Sequence, residues 1–88
     1  MRTIIFDKKA AYWSKDADCN RSFVKSGGDY LEYLFNSRGY IYLSQIYEYF
    51  GVGWNPENNN VLYLIDDGPI AFKFKATDED SILIHIKQ

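Results

Sequence analysis

Gly39–Asn55, GYIYLSQIYEYFGVGWN, holds a short helix together with its start, its stop and a tryptophan turn behind it. Leu43, Ile46, Tyr47 and Phe50 stand at i, i+3, i+4 and i+7, the spacing of one buried helix face, and predict a helix over about 43–50. Gly51 follows where a left-handed C-cap is expected. Ser44 is expected to help start the helix by capping, although it sits one residue inside the apolar pattern. Tyr40-Ile41-Tyr42 reads as a short extended connection, with Ile41 inward and both tyrosines on the other side.

Upstream, the spacing predicts a helix over about 28–38. Ser26-Gly27-Gly28 is read as a breaker before it, and Asp29 suits the positive end of its dipole. Tyr30, Leu31, Leu34 and Phe35 supply apolar contacts, and Arg38 then Gly39 end it. Two helices so closely joined make a helical hairpin or corner. Thr3–Phe6 is β-branched and aromatic, a short strand at either an edge or the centre of a sheet. Ala10–Trp13 fits helix or loop, with Trp13 read as core, and Ser14–Ser22 reads as polar and turn-like.

Downstream, Gly53 and Pro56 turn the chain, and Trp54 there reads either as a lid over a helix end or as an exposed binding residue. Asn55–Asn60 reads as a loop. Val61–Ile65 is a strand and Asp66-Asp67-Gly68-Pro69 a hairpin turn. Ile70, Phe72 and Phe74 alternate with Ala71, Lys73 and Lys75, and Ile82, Ile84 and Ile86 with Leu83, His85 and Lys87. These are half-buried strands joined by an acidic turn at Thr77–Asp80. The expected fold is therefore α+β. Two short helices pack on a C-terminal three-stranded antiparallel meander, with an extra N-terminal strand, in one small domain over residues 1–88.

The 88 residues are 47% hydrophobic and 18% aromatic, enough for one core. A chain this short buries only about 60–65% of its unfolded surface, so the same side chains would have to build both the core and any deep active site. Net charge is −2, unevenly spread. Residues 1–25 carry six basic and three acidic residues, a balance of +3; residues 26–88 carry four and nine, a balance of −5. One cysteine, Cys19, excludes an intrachain disulfide and fits a reducing cytoplasm. The apolar run Ile4–Phe6 is too short for a signal peptide, and no run is long enough to span a bilayer.

No catalytic constellation emerges. Cys19 and His85 lie in unrelated patterns, and one Cys with one His falls short of a zinc site. Asp66 with Asp67, and Asp78, Glu79 and Asp80, read as solvated turns without the EF-hand pattern. Gly27-Gly28 has no Lys-Ser/Thr pair to cradle phosphate. The expectation is a non-enzyme with no metal and no cofactor. Two helices and a hairpin outline a winged helix, which keeps a small DNA-binding regulator as an alternative. SQIYEYF has no Lys or Arg for phosphate, however, so nucleic acid is disfavoured. A phage structural or assembly part is the other alternative. The preferred reading is a protein-binding surface built from Tyr40, Tyr42, Tyr49 and Trp54, with Glu48, Asp66 and Asp67 steering it to a basic partner.

The run FNSRGYIYLSQIYEYFGVGWN, followed by strands, resembles small uncharacterised proteins of phages and conjugative elements of Gram-positive bacteria. Gly39, Ile41, Leu43, Tyr47, Gly51, Gly53 and Trp54 match their outline over about residues 29–86. Tyr42 stands where a threonine cap is commoner, and the stretch before Gly53-Trp54 is shorter than usual. The resemblance implies a mobile-element origin and no defined catalytic activity, and the partner expected for the tyrosine surface is a bacterial host protein or complex with a basic surface. Compact acidic phage proteins include inhibitors of bacterial defence such as anti-CRISPR proteins, the concrete form of this expectation.

Overall fold

In a computed structural model, residues 2–57 and 59–88 are described. The order is β1 (Arg2–Phe6), α1 (Ala17–Arg38), β2 (Tyr40–Tyr42), α2 (Leu43–Phe50), β3 (Leu62–Leu64), a single 3-10 turn (Ile65–Asp67), β4 (Ala71–Ala76) and β5 (Ile82–Lys87). The architecture is α+β, with every strand pair antiparallel.

The first helix is not short. It runs for 22 residues, starting well before the expected position. Asp16 is its N-cap, and its carboxylate accepts from the backbone N–H of Asp18 at 2.9 Å and Cys19 at 3.4 Å. Asn20 is buried and fastens the incoming chain: it accepts from Ser14 N at 2.8 Å and donates to Ser14 O at 2.8 Å. The polar run that reads as a turn is thus a cap and a first helical turn. Gly27-Gly28 is no breaker. The buried stripe Asn20, Val24, Gly27, Gly28, Leu31, Phe35 passes straight through it. A Cβ on Gly27 would stand 2.7 Å from the rings of both Phe50 and Tyr49, and one on Gly28 2.6 Å from Phe74 Cζ. Absent side chains here let α2 and β4 close on the helix.

The second helix follows expectation. Leu43, Ile46 and Phe50 are buried, and Gly51 is the C-cap at φ +70°, a value open to glycine at little cost. Its start differs. Ser44 does not cap; Asn60 Oδ1 accepts from Ser44 N at 3.1 Å, and Asn60 Nδ2 donates to Ser44 Oγ at 2.8 Å. Gln45 Oε1 accepts from Tyr42 N at 2.9 Å.

β4 and β5 form the expected hairpin, and the alternation of their residues holds. Phe72↔Ile86 and Phe74↔Ile84 face α1, whereas Lys73↔His85 and Lys75↔Leu83 face away. β1 pairs with the other side of β5, giving the order β1-β5-β4, and buries Ile4 and Phe6. The first of the three C-terminal strands goes elsewhere: β3 pairs with β2 in a separate two-stranded ribbon. The reason lies in the connection. A two-residue turn on Asp67-Gly68 needs a closing N–H from residue 69, and Pro69 has none. The chain instead makes the 3-10 turn and crosses over. Gln88 Nε2 ties the two parts, donating to Leu64 O at 2.6 Å and Gly68 O at 3.1 Å. Residues 55–57 and 59–60 lie outside helix and strand; Asn58 of the expected 55–60 loop is outside the described residues.

Candidate functional site: an apolar ribbon face and an aromatic trough

Gly39 O accepts from Ile65 N at 2.9 Å, and Val61 O from Leu43 N at 2.7 Å, which fixes the ribbon's register. Ile41 and Tyr63 then point inward; Ile41 is fully buried. Tyr40↔Leu64 and Tyr42↔Leu62 are the alternate pairs, where opposing side chains come closest. All four point outward, and each is 41–43% exposed. Ile65, at the ribbon's end, is 41% exposed. A surface ribbon ordinarily turns polar residues to water. This one turns two tyrosines and two leucines. Arg38 lies across one end, its Cζ 4.7 Å above the Tyr40 ring, and Asp66 and Asp67 follow Ile65 as exposed carboxylates.

A second feature lies between the helices. Phe23 and Tyr49 stack with centroids 6.1 Å apart and planes 5° from parallel, and Tyr30 stacks on Tyr49 at 5.4 Å. Tyr12 closes one end, 5.7 Å from Phe23. Together with Leu34, Gln45 and Glu48 these rings line an open trough of about 510 Å³.

The seven residues singled out in the sequence divide three ways. Tyr40 and Tyr42 are on the ribbon face, with Asp66 and Asp67 at its end. Tyr49 is half-buried in the trough and Glu48 exposed at its rim. Trp54 is half-buried, edge-to-face on Tyr47 at 5.0 Å. Tyr47 and Tyr49 are two residues apart on α2, about 200° around the helix, so Trp54 is on the far side from Tyr49. The sequence reading missed Leu62, Leu64 and Ile65. Their signal is the unbroken apolar run Val61–Ile65, where alternation would leave one face polar.

Other groups do not converge. Cys19 is exposed on the first turn of α1, and the Asp16 carboxylate beside it holds the thiol above its ordinary pKa. His85 is on the sheet face turned from α1, hydrogen-bonded to Thr3 Oγ1 at 2.9 Å. Lys73 and Lys75 share that face, away from the helix corner that a winged helix would use. Asp7, Asp78, Glu79 and Asp80 rim an open notch of about 850 Å³ beside the β4–β5 turn. Among the described residues, no group of three or more His, Cys, Asp or Glu is placed to hold a metal ion, and no helix is long and apolar enough to cross a membrane. Burial pushes the half-buried Tyr63 phenol up, further than the Arg2 guanidinium beside it pulls it down.

Comparison of the chain with models of protein families, with characterised proteins and with solved structures gives no match.

Proposed function

We propose that this protein is a non-enzymatic docking module for another protein, and that the β2–β3 ribbon is its contact face. The supporting observation is the outward row Tyr40, Tyr42, Leu62 and Leu64, an apolar sheet face left uncovered on a small domain. Rigid aromatic and aliphatic side chains on a hydrogen-bonded ribbon lose little freedom on binding. The complementary surface has an apolar centre and cations at its edge to meet Asp66 and Asp67. The resemblance to phage and conjugative-element proteins supplies the setting: a host bacterial protein, with a defence complex of the kind anti-CRISPR proteins inhibit as its concrete form.

The test is affinity capture from host lysate with the wild type and a Tyr42→Ser/Leu62→Ser/Leu64→Ser variant, after circular dichroism has verified the variant's fold. The wild type is expected to retain one protein in stoichiometric amount, and the variant to lose at least tenfold of it. Equal capture by both overturns the assignment. So does a salt-dependent shift of duplex DNA, or a defined homo-oligomer by light scattering that the variant abolishes.

A further inference from the structure

The three-stranded sheet ends on β4, and among the described residues no strand pairs with its far side. The opposite end of the sheet is less bare: Ile5 of β1 shares a hollow with Lys9, Ala10, Val52 and Gly53. α1 runs over β4 more than over β5. Gly28 permits this, packing on Phe72 and Phe74. The helix is therefore seated at the rim of the sheet, and the cover beneath it is incomplete. Ile82, Ile84 and Ile86 of β5 are buried, whereas Phe72 and Phe74, facing the same helix, are half-buried and Ala76 is exposed. Val24, Phe74, Ala76 and Ile82 line a groove of about 210 Å³ between α1 and this edge.

A sheet edge selects its occupant by hydrogen bonding. Alternate N–H and C=O groups point outward along it, and an extended backbone satisfies them in series. The side chains narrow the choice. Lys73 and Lys75 are exposed on the outer face of β4, and Lys25 stands at the rim of the groove. Among the described residues these three make no ion pair, while Arg21 beside Lys25 is held by Asp18. A second copy is the wrong strand. Twofold pairing of β4 with β4, centred on Phe74, sets Lys73 opposite Lys75 at two places; centred on Lys73, it sets that lysine opposite itself. Like charges directly opposed across a ladder repel, and carboxylates in the same places attract.

We propose that β4 receives an extended segment of a partner protein as a fourth strand, with acidic residues opposite Lys73 and Lys75 and apolar side chains turned into the groove under α1. The added strand covers Phe72, Phe74 and Ala76 and completes the sheet beneath the helix. This edge does not depend on the ribbon: Gly28 meets β4, whereas Gly27 next to it meets α2.

The probe is the peptide acetyl-(Glu-Val)3-amide, titrated into the isotopically labelled protein by NMR. It is expected to shift the amides of residues 71–76 and to slow exchange of the outward ones. The equally extended acetyl-(Lys-Val)3-amide should bind about tenfold more weakly. Two further versions of the acidic peptide carry N-methyl groups, one on every valine and the other on every glutamate. An added strand turns one of these two sets of N–H groups to β4, so one version should fail and the other bind. Lys73→Glu/Lys75→Glu, both exposed positions, should reverse the preference between acidic and basic peptides, with the fold checked by circular dichroism. The Tyr42→Ser/Leu62→Ser/Leu64→Ser variant should bind the acidic peptide as the wild type does. Absence of binding, equal binding of acidic and basic peptides, equal binding of both N-methylated versions, or shifts centred away from residues 71–76 would overturn the inference. So would a homo-oligomer whose β4 amides are already protected. Peptide binding at β4 together with equal lysate capture by wild type and ribbon variant keeps this inference and removes the ribbon assignment.

Discussion

Gly27 and Gly28 occupy helix interior, where alanine is ordinarily better by about 1 kcal/mol. Here the rings of Phe50 and Tyr49 fill the space a Gly27 side chain would need. Gly27→Ala is therefore expected to lower stability by about 1–3 kcal/mol in urea unfolding. Ser26→Ala, exposed on the same helix, should stay within about 0.5 kcal/mol of wild type or improve on it. A stabilised Gly27→Ala would show that the rings yield freely. Tyr63 gives a second check. Its pKa is raised in the fold, so the stability its neutral phenol contributes is present below the free value of 10.0 and is lost as pH rises through the folded value. Tyr63→Phe should flatten the alkaline fall in urea midpoint; an unchanged fall would place its origin elsewhere.

α2, β4 and β5 were legible because each carries one clean period and a stop signal: Gly51 after the heptad-like face, alternating isoleucines in β5. α1 was half legible. Its second half has a normal apolar stripe, but in its first half the buried positions are Asn20, Val24 and two glycines, which look like loop. Burial of Asn20 depends on Ser14, a partner no period reveals. The pairing of β3 was hidden for a related reason, since Asp-Gly advertises a hairpin that Pro69 cannot close. Of the candidate surface, the tyrosines of β2 could be read from alternation around Ile41, while Leu62 and Leu64 needed β3's true partner. Asn60, in the loop before β3, caps α2 from outside. Asn60→Ala should cost about 1 kcal/mol and speed amide exchange at Ser44; exchange no faster than wild type would deny it that role.

Two sheets could unfold separately, but α1 packs on both and Gln88 bridges them. One cooperative transition is expected. The tryptophans can report on each part: Trp13 packs on Phe6 of β1 at 5.3 Å, and Trp54 on Tyr47 of α2. Trp13→Phe and Trp54→Phe variants, followed by the remaining tryptophan's fluorescence, should each give a urea curve that overlays their far-ultraviolet dichroism. Two separated curves would show the ribbon melting alone. The register Arg2↔Ile86 has a further outcome during biosynthesis. β1 meets its neighbour β5 only after both helices, the ribbon and β4 have been made. Until then Ile4 and Phe6 lack the strand that completes their burial, and a pairing this distant in sequence slows folding and lengthens the time an apolar edge stays open to aggregation.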